Sequence, residues 1–121
     1  DDLSKPVLVD GTPLFVATDD FPHGVPPEAA AQLVQVLQTD FSVGAQHFVE
    51  LMFPEPGTED LKEWIYALTQ KSPQQSALNC LASAGNRDLR PLLDEISVPT
   101  LVVCGGEDQV CMPEASRGMS K

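Results

Sequence analysis

The chain has 121 residues, 42% of them hydrophobic, and a formal net charge of −11 from 18 acidic and 7 basic side chains. Its length and composition are typical of one globular domain rather than of a disordered segment. The acidic balance disfavours nucleic acids and anionic membranes as partners, because both require a basic surface. No apolar run approaches the roughly 20 residues of a membrane span, and the initial DDLSKP lacks the features of a signal peptide.

The three cysteines, Cys80, Cys104 and Cys111, indicate a reducing compartment. Their odd number and the absence of metal-ligand spacing argue for free thiols, a cytoplasmic location and no bound metal. We expect Cys104 to be a small buried core residue. Cys111 has no basic neighbour in the sequence that would lower its pKa, so we expect an unreactive thiol.

Turn residues divide the chain into a strand, a run of helices and a second strand. Prolines, acids and hydroxyl residues mark the helix starts, and clusters of proline and glycine mark several ends. The predicted elements are a strand over 7–10, helices over 27–38 and 41–52, a third helix after Thr58, a fourth from Pro73 to Ala84, a helical turn over 88–93, a strand over 100–104 and a helix that starts at Pro113.

Four positions carry helix-capping signals. Asp40 and Thr58 precede the second and third helices, where their side chains can accept a hydrogen bond from the first turn. The run Ser72-Pro73-Gln74-Gln75 matches a capping box. Gly85 suits the end of the fourth helix, because glycine adopts the left-handed conformation without steric cost.

Apolar residues recur at helical spacing and predict one buried face on each of three helices. The faces are Leu33, Val34 and Leu37 in the first helix, Phe41, Ala45, Phe48, Val49 and Met52 in the second, and Leu61, Trp64, Ile65 and Leu68 in the third. Met52, Phe53 and Trp64 could instead line an apolar binding pocket, but the spacing favours core packing.

Both predicted strands are short and continuously apolar, which is typical of parallel strands that are covered on both faces. Two strands alone do not form a stable sheet. We therefore expect both strands to need neighbours that come from a longer protein or from a partner chain.

The second strand ends at Gly105-Gly106, and two acids, Glu107 and Asp108, follow. The glycines allow a sharp turn, and ligands and chemistry in open α/β sheets are found at the carboxyl ends of the strands. Asp108 is therefore a candidate site residue, whereas the adjacent Glu107 should point elsewhere. Asp10 ends the first strand in a similar way and is the rival candidate. An aspartate in such a place can also serve only to stabilise a turn.

At these residues the chain resembles the α/β-hydrolase fold superfamily. The segment VPTLVVCGGEDQV is similar to the acid-bearing strand and loop of that fold, and PVLVDGTPLF to the core strand that follows the nucleophile helix. The resemblance implies the α/β class and a partial α/β-hydrolase fold, with two core parallel strands flanking a mostly helical cap. The implied parts are a core strand segment over 1–16, the cap and the return to the core over 17–96, and a core strand with the acid loop over 97–121.

The resemblance also implies a serine hydrolase that acts on an ester or a related small acyl or amide substrate, with no metal or organic cofactor. Asp108 takes the place of the acid in the Ser-His-Asp triad. Asp10 is the alternative acid, because some members of the superfamily carry the acid on that earlier strand. The remainder of the hydrolase core is the implied partner.

The other two triad residues are not recognisable in the sequence. The nucleophile motif G-x-S-x-G is absent, and the nearest imitation, residues 81–85, lacks the first glycine and follows a helical run. No histidine follows Asp108, since His23 and His47 lie upstream in the part that resembles the cap. We therefore expect this chain to be an inactive piece of a hydrolase that carries only the acid.

A second interpretation is a non-catalytic helical interaction module or a partner-dependent relic of the fold. Direct pairing of the two strands in a monomeric, cooperative chain would favour the module. Exposed apolar surface would favour the hydrolase piece.

Three further residues have structural interpretations. Asp88 and Arg90 form a D-L-R motif that is frequent in the family, and we interpret them as a structural ion pair. His23, which lies between a proline and a glycine, is interpreted as an exposed loop residue.

Overall fold

The computed structural model describes residues 4–119. Its elements are strand β1 (Val7–Val9), helices α1 (Pro27–Thr39), α2 (Phe41–Met52), α3 (Glu59–Thr69), α4 (Gln74–Gly85) and α5 (Arg90–Leu93), strand β2 (Leu101–Val103) and helix α6 (Pro113–Arg117). Every predicted element is present, in the predicted order. The predicted bounds differ from the observed ones by at most two residues.

The two strands pair in parallel, with Val7 opposite Leu101 and Val9 opposite Val103. Parallel neighbours need a long crossover, and the helical middle of the chain supplies it. The prediction that both strands are buried on two faces is wrong for this chain, since Val9 is 63% exposed and Leu101 is 59% exposed. Within residues 4–119 the sheet has two strands, so these side chains lack the covering layers that surround a parallel sheet.

Helix α1 packs against α2 and α4, and α2 packs against α3. Leu33 and Leu37 of α1 are buried, as are Ala45 and Val49 of α2. The first two predicted apolar faces are therefore confirmed in part, since their other members are half-buried.

The predicted apolar face of α3 is wrong as a core face. Trp64 is 59% exposed, and Leu61 and Leu68 are exposed as well. None of the residues of α3 is buried, although the helix packs along α2. Helical spacing identifies an apolar face, but it carries no information about which element covers that face.

The capping signals of α2 and α3 have different outcomes. Asp40 caps α2 as predicted, because its Oδ1 accepts a hydrogen bond from the Val43 N–H at 3.1 Å. The prediction for Thr58 is wrong, since its Oγ1 donates to the Glu55 carbonyl at 2.8 Å and makes no cap bond to α3. A short-range bond of this kind competes directly with capping.

The predictions for both ends of α4 are wrong. Pro73 is the N-cap and makes no side-chain cap bond, so Ser72 does not begin a capping box. The Gln75 side chain donates to a side chain within its own helix instead of reaching back to the cap. Gly85 is the last helical residue, and Asn86 forms the C-cap with a φ of −99°, so no left-handed residue is used.

The stretch that follows β1 and the stretch that leads into α5 are hydrogen-bonded to each other. The Leu89 N–H donates to the Pro13 carbonyl at 2.8 Å. Beside this bond, Arg90 Nη2 lies 2.7 Å from Asp88 Oδ2, and Arg90 Nη1 lies 3.0 Å from Asp20 Oδ2. The hydrogen bonds from Arg90 hold the pKa of Asp88 below its usual value. The interpretation of Asp88 and Arg90 as a structural ion pair is confirmed.

We expect Gly44→Ala in α2 to destabilise the fold. A Cβ at this position would lie 2.7 Å from Leu37 Cδ2 and 2.9 Å from the Leu37 backbone nitrogen. Alanine favours a helix by about 1 kcal/mol over glycine, but overpacking costs about 1–3 kcal/mol, and a backbone atom cannot move aside alone. We expect the unfolding free energy measured in urea to fall by up to about 2 kcal/mol.

Gly85→Ala is the matched control for this substitution. A Cβ at Gly85 would meet Val16 Cγ2 at 3.8 Å, which is an ordinary contact. This variant should be as stable as the parent or more stable, because only the helix preference changes. Equal destabilisation by both variants would contradict the close approach of α1 and α2.

Candidate functional site

The carboxyl ends of β1 and β2 lie at one edge of the sheet, and both candidate acids lie there. Asp10 follows β1, and residues 105–110, called here the acid loop, follow β2. The Gly105 N–H donates to Asp10 Oδ1 at 2.8 Å. The structure therefore joins the rival acid to the loop that carries Asp108. The sequence carries no signal of this link, because the two bonded residues are 95 positions apart.

The Asp108 carboxylate closes a turn within the acid loop. It is half-buried, and its Oδ1 accepts hydrogen bonds from the N–H groups of Val110 at 2.8 Å and Cys111 at 3.0 Å. Within residues 4–119, both hydrogen bonds to this carboxylate use Oδ1, which leaves Oδ2 as an acceptor. The carboxylate thus stabilises a turn, and this role fixes its position without using its second oxygen.

The acid loop is also attached to helix α2. The Gln109 N–H donates to the Leu51 carbonyl at 3.3 Å. Glu107, the sequence neighbour of Asp108, is exposed, whereas Asp108 is half-buried. This difference in burial favours Asp108 over Glu107 as the site residue.

Cys111 lies at the end of the Asp108 turn and has a thiol with a raised pKa. Burial raises this pKa, and the negative charges of Asp108 and Asp10 raise it further. Because the thiolate is the reactive form, the direction of this shift agrees with the predicted lack of reactivity. Cys104 is half-buried rather than fully buried, and Cys80 is exposed.

Two apolar cavities lie between the helices and the acid loop, with volumes of about 310 Å³ and about 410 Å³. Phe15, Phe48 and Val110 line both cavities and therefore form a shared wall. His47 lines the smaller cavity, and Cys111 lines the larger one. The larger cavity has no carboxylate, ammonium, guanidinium or imidazole group in its lining. Such a lining suits an uncharged, largely apolar ligand.

No signal in the sequence marks these three residues as the wall of a cavity. Phe48 was assigned to the core face of α2, and the position of Phe15 gave no signal, since it lies in an irregular segment. Met52, Phe53 and Trp64 are absent from the lining of both cavities, so the pocket interpretation of these residues is not supported. Trp64 does not pack in a core either, because it is exposed.

The histidines and serines that drew attention in the sequence make no hydrogen bond to Asp108 within residues 4–119. His23 is exposed as predicted, with its ring edge-on to Phe21 at 5.6 Å between centroids. Ser83 lies inside α4, not on a turn between a strand and a helix. Ser116, which the sequence analysis did not single out, is buried, and its hydroxyl donates to the Gly11 carbonyl at 2.9 Å.

Within residues 4–119, no three or more His, Cys, Asp or Glu side chains are grouped so that they could hold a metal ion. None of the helices in this part of the chain has the length and hydropathy that spanning a bilayer requires.

The sequence is similar to those of curated esterases, although no protein-family model matches it. It is 31% identical over 101 residues to the pimeloyl-[acyl-carrier protein] methyl ester esterase of Neisseria meningitidis, covering 82% of this chain and 32% of that protein. It is 30% identical to the protein of the same name from Nitrosospira multiformis, covering 98% of this chain and 47% of that protein. The AB hydrolase superfamily protein YisY of Bacillus subtilis is 24% identical, and the match covers 90% of this chain and 41% of that protein. The chain therefore spans between about a third and about half of the length of these relatives.

Solved structures share the arrangement of the elements. An esterase from Exiguobacterium antarcticum superposes with a TM-score of 0.88 at 27% identity, covering 96% of this chain and 44% of that one. A bromoperoxidase from Bacillus anthracis superposes with a TM-score of 0.85 at 17% identity, covering 96% and 45%. Because the identity to the bromoperoxidase is only 17%, this likeness concerns the fold alone.

We expect Cys111 to react with iodoacetamide more slowly than Cys80 at pH 8. Burial and two nearby carboxylates raise the pKa of the Cys111 thiol, whereas Cys80 is exposed. Mass spectrometry of peptides from a labelling time course gives both rates. Asp108→Asn removes one of the two charges and should accelerate labelling of Cys111, with Cys80 unchanged as the internal control. Equal rates for the two thiols in the parent protein would contradict the described surroundings of Cys111.

Proposed function

We propose ester hydrolysis as the function, since the chain has part of the α/β-hydrolase fold that its sequence predicts. One observation carries the proposal. Asp108 stands after a core strand as a half-buried, fixed carboxylate with Oδ2 still available, and its loop lines two apolar cavities. This is what a triad acid requires, because the acid must hold a histidine in place and stabilise the imidazolium that forms.

In the proposed reaction, Asp108 accepts a hydrogen bond from a histidine, which removes the proton from a serine hydroxyl. The serine oxygen attacks the ester carbonyl, and the histidine returns the proton to the departing alcohol. Water then releases the acid from the acyl-enzyme by the same proton transfers. The serine and the histidine would come from parts of the protein outside this chain, so the chain by itself should be inactive.

The remainder of the hydrolase core is the proposed partner of the two strands. The chain exposes 8044 Å², whereas a compact monomer of this mass exposes about 6,300 Å². Part of the excess is apolar strand surface, including Val9 and Leu101. Further parallel strands and their helices would cover this surface. Residues 17–96 would then form the cap and its return to the core.

One observation favours the alternative, a non-catalytic module. The strands pair directly with each other, as expected if the chain were self-sufficient. The exposed apolar residues on both strands oppose this interpretation, because a stable module would cover them. We therefore retain the hydrolase piece as the proposal.

Asp108 is preferred to Asp10 as the acid. Asp10 is exposed. Asp108 is half-buried, and its turn includes Val110 and Cys111, which line the cavities. Partial burial strengthens the interaction of a carboxylate with an imidazolium.

The proposed substrate is a small, uncharged ester with a largely apolar acyl group. The lining of the larger cavity supports this class, since it holds no charged side chain. The names of the related methyl ester esterases support a short alkyl alcohol as the leaving group. The first test is to sequence the coding DNA on both sides of this segment. We expect a G-x-S-x-G motif upstream and a histidine downstream in the same reading frame.

We expect Asp108→Asn in the full-length protein to lower kcat for a short-chain methyl ester by roughly 10³–10⁴-fold, because the histidine loses its orienting acid. Steady-state kinetics measures the loss. Glu107→Gln is the matched control, since it removes the adjacent, exposed carboxylate and should leave kcat nearly unchanged. Loss of activity in Asp10→Asn together with full activity in Asp108→Asn would transfer the role to Asp10.

We expect Phe48→Ala to shift the substrate preference towards longer acyl chains. Phe48 lines both cavities, so its removal joins them and provides room for more methylene groups. Each methylene that becomes buried should raise relative kcat/KM by about fourfold. Phe41→Ala is the matched control, because Phe41 lines only the larger cavity. An identical chain-length profile for both variants would contradict the shared wall.

A further inference from the structure

The parallel hydrogen-bond ladder between β1 and β2 ends in an unusual way. At its start, the Leu101 N–H donates to the Pro6 carbonyl, and near its end the Asp10 N–H donates to the Val103 carbonyl. In the repeat of a parallel ladder, the next donor, the Gly105 N–H, would bind the backbone carbonyl of Asp10. It binds the side-chain oxygen Oδ1 of Asp10 instead, at 2.8 Å. The carboxylate therefore replaces a backbone acceptor.

The backbone of Asp10 explains the replacement. Its φ is +47°. Among residues 4–119, Asp10 is the only non-glycine residue with a positive φ. Aspartate adopts this conformation more readily than most residues, but glycine would do so without strain. A glycine would have no side chain to accept the Gly105 N–H. Strained positions of this kind gather at functional sites, where the surroundings hold them in place.

Gly105 in turn lies against Asp108. A Cβ at Gly105 would be 3.5 Å from Asp108 Cβ and 3.9 Å from Asp10 Oδ1. The bond from Asp10 therefore fixes the first residue of the acid loop, and the Gln109 bond to Leu51 fixes the loop near its other end. A loop held at both ends keeps the Asp108 carboxylate in one place.

We propose that Asp10 is a positioning residue, whose carboxylate holds the Gly105 N–H and thereby keeps Asp108 in the geometry needed to orient the histidine. The inference rests on the proposed function. It assigns to Asp10 a role different from that of a rival acid. It also explains why two aspartates stand at the ends of two neighbouring strands.

The experiment compares two substitutions of Asp10 in the full-length protein. Asp10→Gly removes the acceptor and at the same time relieves the backbone strain, so a loss of activity cannot come from strain. Asp10→Asn keeps an acceptor oxygen and tolerates a positive φ, so it should restore function. We expect Asp10→Gly to lower kcat by about tenfold or more with little change in KM, and Asp10→Asn to stay within about threefold of the parent.

Hydrogen exchange of the Gly105 amide provides a second measurement, which does not depend on ester hydrolysis. Its exchange should accelerate by about tenfold or more in Asp10→Gly and remain slow in Asp10→Asn. Asp19→Gly, at an exposed loop aspartate, is the control and should change neither exchange at Gly105 nor kcat.

Three results would overturn the inference. One is unchanged exchange in Asp10→Gly, which would mean that the carboxylate does not hold the loop. Another is faster exchange with unchanged kcat, which would mean that the position of the loop does not matter. The third is an equal loss of kcat in Asp10→Asn, which would point to charge rather than to the hydrogen bond. If the parent protein hydrolysed no ester, the proposed function would fail, and exchange would still decide whether Asp10 holds the loop.

Discussion

The parallel pairing of β1 with β2 is the constraint on which the rest of the structure depends. Parallel neighbours place both of their carboxyl ends at one edge of the sheet and require a long connection between them. The helices from α1 to α5 make that connection, and the common edge holds Asp10 and Asp108. An antiparallel pair would have left the two acids at opposite ends of the sheet.

Two backbone hydrogen bonds link the helical part of the chain to the stretches that follow β1 and β2. One is the bond from Leu89, just before α5, to Pro13. The other is the bond from Gln109 in the acid loop to Leu51 in α2. The two cavities lie between the helices and this loop. The contacts that hold Asp108 in place therefore also position the loop residues that line the cavities. The acid loop and the walls of the cavities are therefore linked through backbone hydrogen bonds.

The same arrangement leaves much apolar surface uncovered. The outer residues of the strands and the apolar face of α3, including Trp64, are exposed. The curated relatives are two to three times as long as the matched portion. Under the proposed function, the remainder of the hydrolase core would cover the exposed strand residues.

The sequence by itself determined the elements, their order and the candidate acid. These properties depend on residues within a few positions of each other, such as Pro27 at a helix start or the glycines that end β2. It could not determine which of the predicted apolar faces are covered: the pattern around Trp64 is that of a core face, yet Trp64 is exposed. Burial depends on what packs from elsewhere in the chain or from outside it.

The capping residues and Asp10 show the same limit at the level of single hydrogen bonds. Thr58 carries a capping signal, but its hydroxyl donates a hydrogen bond to the carbonyl of Glu55, three residues earlier. Such a local bond competes with capping of the helix. The sequence marks Asp10 as a rival acid or a turn residue, and its bond to Gly105 exists only because the strands pair in parallel and in that register. Local chemistry therefore selected the residues of the site, and only the tertiary structure decided which of them act on one another.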